Sequence, residues 1–281
     1  MTATDVRLLG PLEVTLDGHP VELGATKQRA VLTMLALRAN TVVSVDELVD
    51  GLWGETPPAS AVKLVQHYVS QLRKLLAGGD AQIVTRGRSY ELRIRPGGVD
   101  VADFERLADA ATRGGENGAA ARQALSLWRG DPLLDVIDEP FAAGEQRRLK
   151  ELWLNLSERA IAADIEAGRQ DEVLTRLDVL VERHPLRERL HALRMRALYA
   201  AGRQGEALEA FRYARVILVE EIGVEPGPEL QRLHAAMLRQ DPELVPPPPA
   251  GRHALRCGGA CRARSCSRSC SRCWPAAPSS W

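Results

Sequence analysis

Apolar and polar positions along this chain change period several times, and each change marks an element. Residues 5–23 run as short apolar stretches, VRLLG, LEVTLDG and PVELG, with Leu16-Asp17-Gly18 as a strand entering a turn. That pattern predicts a small antiparallel sheet. In TKQRAVLTMLALRAN, residues Val31, Leu32, Leu35 and Ala36 fall on one side of a helix that Thr26 is placed to cap. VVSVDELVDGLWG predicts a short strand, then a helix from Ser44 or Val45. Glu47 follows Ser44 by three, the spacing of a capping box, and Leu48, Val49, Leu52 and Trp53 face inward. Pro57-Pro58 stops that helix, and a longer one opens near Ser60. Its core stripe is Val62, Val65, Val69, Leu72 and Leu76. Opposite that stripe lie Lys63, His67, Ser70, Gln71 and Lys74, with Gln66 and Arg73 flanking them. After Gly78-Gly79-Asp80, two strands at Ile83–Thr85 and Tyr90–Ile94 are joined by Arg86-Gly87-Arg88-Ser89, and Pro96-Gly97-Gly98 closes the unit.

From residue 101 the period becomes helical throughout. VADFERLADAAT and AAARQALSLWRG are amphipathic, Asp131-Pro132-Leu133-Leu134 breaks the pattern, and a long helix is expected over Ala142–Ala167. Leu149, Leu152, Leu156, Ala160 and Ile161 face inward on it. AGRQ then occurs at Ala167–Gln170 and again at Ala201–Gln204, an offset of 34 residues. Glu172 matches Glu206, Leu174 matches Leu208 and Leu177 matches Phe211. A period of that length with glycine between paired helices is that of a tetratricopeptide hairpin. A last helix begins behind Pro228. The predicted fold is therefore an α+β winged helix-turn-helix over residues 1–100, then an all-α tetratricopeptide-like domain over 101–245.

Residues 246–281 form a third segment. VPPPPAG reads as a stiff linker, and residues 251–281 hold all five cysteines, six arginines and no acid. The cysteines at 257, 261, 266, 270 and 273 have spacings that fit no zinc pairing, and the segment has no apolar core, so it reads as disordered.

Charge changes the picture more by placement than by sum. Lys and Arg number 37, as do Asp and Glu, so the formal net charge is zero. Residues 60–99 nevertheless carry seven Lys/Arg against two Asp/Glu, and the stretch from 101 to 250 leans acidic. A locally positive patch can hold phosphate while the acidic remainder limits non-specific adhesion. No apolar run is long enough to cross a bilayer and no export signal opens the chain, so a cytoplasmic location is expected.

A helix with one dry face and one polar face, followed by a basic hairpin, suits major-groove binding. Gln pairs with adenine and Lys donates to guanine or phosphate, and sequence alone does not separate those roles. Opposite a core stripe, the same polar residues also read as an ordinary solvated face. Arg86 and Arg88 at the hairpin tip are placed for phosphate or the minor groove. Arg93 and Arg95 read as lining the backbone or solvated. Lys27 and Arg29, opening the first helix, are further candidates for phosphate. Trp53 reads as core, and Trp128 as the anchor of the helical domain. Asp131 and Asp135 read as caps or solvated carboxylates. No nucleophile arrangement, metal cluster or phosphate loop is found, so neither enzymatic activity nor a cofactor is expected. The competing readings are a scaffold built on the helical repeats and a repressor that acts by occlusion.

The segments RLLGPLEV, ATKQRAVLTMLAL, VSVDELVDGLWGETPPASA, VQHYVSQLRKLL, ALSLWRGDPL, HPLRERLHALRMRALYAAGRQGEALEAF and EEIGVEPGPELQRL carry a family resemblance. Residues 1–100 resemble the OmpR/PhoB-type winged helix and residues 101–245 the bacterial transcriptional activation domain. Together they resemble the Streptomyces antibiotic regulatory proteins, the AfsR/DnrI/RedD type. The resemblance implies an activator of secondary-metabolite genes that binds tandem direct repeats in double-stranded DNA, pairs there as a homodimer and recruits RNA polymerase holoenzyme. It makes Val62–Leu76 the recognition helix, Arg86–Ser89 the wing tip and Gly54–Ser60 the loop that approaches polymerase or the next protomer. Larger relatives continue into an ATPase domain, and no G-x-x-x-x-G-K motif occurs here. The chain thus reads as a small regulator or a truncated large one. The winged-helix likeness invites a two-component phosphorelay label, but no receiver domain is seen and phosphorylation is not implied.

Overall fold

A computed structural model describes residues 2–113 and 118–244. The linker and tail expected over 246–281 lie outside the described residues. Strands β1 (Thr4–Arg7), β2 (Glu13–Leu16) and β3 (His19–Pro20) pair antiparallel in that order. Val6 and Val14 face each other in register and both are buried, while Arg7 and Glu13 at the next rung reach water. Helix α1 (Thr26–Leu37) buries Ala30, Val31, Leu32, Leu35 and Ala36, so it runs through the core rather than along its surface. Its N-cap is Ala25, with no side-chain cap, and Thr26 is already the first helical residue. Strand β4 (Val42–Ser44) leads into α2 (Val45–Trp53), and the expected capping box is formed. Ser44 Oγ accepts from the Glu47 N–H at 3.1 Å, and the Glu47 carboxylate accepts from the Ser44 N–H at 2.9 Å.

Helix α3 (Ala61–Leu75) is followed by β5 (Gln82–Thr85) and β6 (Ser89–Arg93). The second sheet has the order β4-β6-β5, so the strand before α2 becomes the third strand of the hairpin. Sequence periodicity predicts these strands, but only the register Val43↔Tyr90 and Val84↔Glu91 shows that they share a sheet.

The helical part comprises α4 (Asp100–Arg113), α5 (Ala119–Ser126), a 3-10 turn at Leu134–Val136, α6 (Ala142–Glu166), α7 (Gln170–Arg183), α8 (Glu188–Ala200), α9 (Gln204–Ile222) and α10 (Pro228–Leu238). One hydrophobic core runs without a break from Val6 through Leu72 and Phe104 to Ala160. Trp128, half-buried, packs against it, its ring 5.5 Å from Phe104 and 5.9 Å from Trp153. The Asp100 carboxylate accepts from the N–H groups of Leu8 (2.8 Å) and Leu9 (3.0 Å). Burial pushes this carboxyl above its usual range, against those two donors and Arg129, which pull it down. A second core gathers Leu154, Ile161 and α7–α10. Helix α6, about 38 Å long at 1.5 Å per residue, contributes to both.

The 34-residue repeat is reproduced bond for bond. Ala167 N–H reaches Ala163 O, Gly168 N–H reaches Ile165 O and Arg169 N–H reaches Asp164 O. Thirty-four residues on, Ala201 reaches Ala197, Gly202 reaches Tyr199 and Arg203 reaches Leu198. Gly168 and Gly202 both have φ +76°, the left-handed value that ends a helix and favours glycine.

Candidate nucleic-acid interface

Helix α3 lies with Ala61, Val65, Val69, Leu72 and the following Leu76 buried against the core. Val62, expected in that stripe, is 40 % exposed. At 100° per residue, Ala61 stands four before Val65 on the buried face and Val62 falls at its edge. Lys63, Gln66, His67, Ser70 and Lys74 are exposed and Gln71 is half-buried. Lys63, Gln66, Ser70, Gln71 and Lys74 make no side-chain hydrogen bond or ion pair among the described residues. The His67 ring stands edge-on to Tyr68 at 6.0 Å. Tyr68 is half-buried against the core and belongs to the packing, as expected.

Arg73 serves a different purpose from its neighbours. Its Nε donates to Ile83 O at 2.8 Å and its Nη2 to Thr85 Oγ1 at 2.7 Å. Its guanidinium lies 5.8 Å from the Tyr90 ring centroid. The arginine, expected beside the polar stripe, therefore bolts α3 to β5 and β6.

The hairpin tip turns at Gly87, φ +59°, with Arg86 N–H on Ser89 O at 2.8 Å. Glycine at the first central position matches the twist of the flanking strands. Arg88 projects, 80 % exposed in its side chain, and among the described residues its side chain meets only the similarly exposed Asp46, at 3.4 Å. Such a pair is worth about 0–1 kcal/mol, so Arg88 is available to another anion. Arg86 is half exposed and shares Glu91 with Arg93, each at 3.2 Å. Arg95 is held by Asp5 and, at 3.3 Å, by Asp80.

Lys27 and Arg29, the candidates for phosphate on the first helix, are about a third exposed and each has a carboxylate partner within the fold. Lys27 Nζ donates to Glu139 Oε2 at 2.6 Å and to Leu52 O, and it lies over the Trp53 ring. The Glu139 side chain is only 6 % exposed. Arg29 Nε donates to Gly24 O at 3.0 Å and its Nη1 meets Asp135 at 3.5 Å. Asp135 also accepts from the Leu12 N–H at 2.7 Å, so it is a tie between segments and not a solvated cap. A carboxylate placed on the facing segment, more than a hundred residues away in sequence, outcompetes solvent for each cation. No local pattern in the sequence signals that. Asp131, by contrast, pairs with Lys150 at 2.9 Å on the surface.

A helix with an outward polar face, a three-stranded wing sheet, helices α4–α6 sharing its core and a repeat-built set of helices beyond them have the layout of a winged-helix transcription regulator with a tetratricopeptide-like partner domain. Residues 18–92 match the profile of the C-terminal domain of transcriptional regulatory proteins, and residues 99–238 match that of the bacterial transcriptional activator domain. The chain is 42 % identical to regulatory protein DnrI of Streptomyces peucetius, over 85 % of this chain and 93 % of DnrI. It is 36 % identical to transcriptional regulator RedD of Streptomyces coelicolor, over 86 % and 73 % of the two chains. With AfsR of the same organism it shares 39 % identity, and the match spans 24 % of that longer protein. Among solved structures, Mycobacterium tuberculosis EmbR, in complex with a low-affinity phosphopeptide, superposes with a TM-score of 0.80 at 36 % identity, over 86 % of this chain and 66 % of EmbR. The chain belongs to the Streptomyces antibiotic regulatory protein family, whose members are transcriptional regulators and not enzymes. No helix among the described residues is long and apolar enough to cross a membrane.

Proposed function

We propose that the protein is a sequence-specific activator that lays α3 in the major groove of double-stranded DNA and recruits RNA polymerase to the adjacent promoter. Lys63, Gln66, His67, Ser70, Gln71 and Lys74 form the base- and phosphate-facing surface. Arg88 and the half-exposed Arg86 reach the backbone beside it, and Arg73 holds the two parts together. The observation that carries this reading is the polar face of α3: long side chains, exposed, with no hydrogen-bonding side-chain partner among the described residues, next to a projecting arginine. A solvated helix face needs no such companion, whereas a groove-bound helix gains from one on the flanking backbone.

Residues 1–100 do the binding and 101–245 the activation. Tandem direct repeats, the pairing of two copies on them, a cytoplasmic, nucleoid-bound location and a secondary-metabolite gene cluster as the target belong to the same proposal, which kinship with the regulators named above supports. Genome-wide mapping of bound sites, with transcription of the neighbouring genes, identifies it.

The direct test is footprinting and titration on a mapped site. Lys63→Ala with Lys74→Ala should weaken binding at least tenfold and lower the slope of log affinity against log salt by about 1 for each lost phosphate contact. Wild-type affinity in that double variant, with the fold intact, would remove α3 from the groove.

A further inference from the structure

Helices α7, α8 and α9 enclose an open groove of about 640 Å³ on the repeat-built part of the molecule, well away in sequence from α3 and the wing. Its apolar lining comes from Leu174, Val181, Leu198 and Ala210, all buried. Tyr213 stands at its wall, 47 % exposed, and is backed by the buried His191 ring at 6.1 Å. An aromatic side chain left in water beside an apolar floor is an available contact surface.

The charges around this floor are unequal. Four carboxylates line it, those of Asp178, Glu182, Glu206 and Glu209, against two guanidiniums, Arg194 and Arg203. Arg194 is taken by Asp178 at 2.7 Å and Arg203 by Glu206 at 2.7 Å. Among the described residues Glu209 is paired only by Arg212, and both side chains of that pair are 71 % exposed. Glu182 is exposed and has no partner among the described residues. An arriving cation would satisfy Glu182 and share Glu209, whereas an anion would meet a carboxylate excess. The groove is open to solvent and is lined by side chains from α7, α8 and the start of α9, so a peptide side chain with its flanking cation can enter it.

We propose that this groove is a docking site for an extended peptide segment of a partner protein, in which a lysine or arginine flanks an aliphatic or aromatic residue. The apolar side chain lies on Leu174 and Leu198 against Tyr213, and the cation reaches Glu182. This surface uses none of the residues assigned to DNA, so its failure and that of the DNA-binding reading are separable.

Random dodecapeptides displayed on phage, selected on the full chain, test the assignment, with the winning sequences synthesised and measured by fluorescence anisotropy. The winners should carry Lys or Arg beside Leu, Ile or an aromatic residue. Glu182→Lys and Tyr213→Ala should each weaken them about tenfold, with Glu182→Gln intermediate, and the DNA footprint should stay unchanged. Three results would overturn the proposal. One is winners that are acidic, or no enrichment over a resin control. Another is equal binding by Glu182→Lys. The third is a concentration-dependent dimer that Glu182→Lys dissociates, which would make a second copy of this chain the occupant.

Discussion

Lys27 offers the clearest quantitative test, because its two readings predict opposite outcomes. Replacing it by Met keeps the stem that packs near Trp53 and removes the ammonium. Glu139, with a side chain only 6 % exposed, would then hold an uncompensated charge, since its partner at 2.6 Å is gone. Removing one member of a buried pair costs about 3–5 kcal/mol. The Lys27 side chain is itself 33 % exposed, so water reaches part of the pair, and about 2–4 kcal/mol is the expected loss. Urea unfolding of the full chain reads this loss directly. Adding Glu139→Gln to Lys27→Met removes the stranded charge and should recover more than half of it, a coupling that a double-mutant cycle isolates. The folded Lys27→Met protein should bind its DNA site within about twofold of the parent at every salt concentration. If instead stability were unchanged while affinity fell and the salt slope dropped by about 1, Lys27 would be a phosphate contact and the pair with Glu139 incidental.

Arg73→Ala should cost about 1–2 kcal/mol, the scale of two charged hydrogen bonds at a partly exposed site, and should speed amide exchange in residues 82–93 before it affects the rest of the chain. Gly202→Ala meets no steric obstacle, since nothing lies within 4 Å of the added methyl, so its cost is the left-handed backbone alone. That is about 1–2 kcal/mol by thermal or urea unfolding, with less lost in Gly202→Asn. Burial holds the His191 imidazole below the ordinary histidine value, while its Nε2–H bond to Pro185 O opposes that. The unfolded chain therefore binds more protons than the native one as pH falls through the ordinary histidine range. Stability should be lost on acidification from neutrality, and His191→Gln should flatten that slope in unfolding measured from pH 7 to pH 5.

The elements of this protein were legible because each is set by local periodicity and caps. The Ser44–Glu47 box, the Gly87 turn and the glycines 34 residues apart act over a few residues, and their geometry follows from backbone sterics and nearby hydrogen bonds. The polar stripe of α3 was legible for the same reason, since a 100° step fixes which positions share a face. Val62 was misplaced because a stripe has an edge, and which residue falls there depends on the tilt of the helix on its neighbours. Thr26 was misplaced because a capping residue is recognised by type, while the cap itself depends on where the chain enters the helix.

What the sequence determined by itself, then, was the succession of elements, the repeat and the outward polar face of α3, all consequences of interactions between residues close in the chain. The tertiary structure alone decided the pairing of β4 with β6 and of Lys27 with the buried Glu139. It also decided the use of Arg73 as a bolt and the single core shared by the winged helix and α4–α6. Apart from Arg73, whose partners lie 10 and 12 residues on, these join groups that are distant in the chain, 112 residues for Lys27 and Glu139. The identity of a long-range partner depends on how whole elements pack, which no local period encodes.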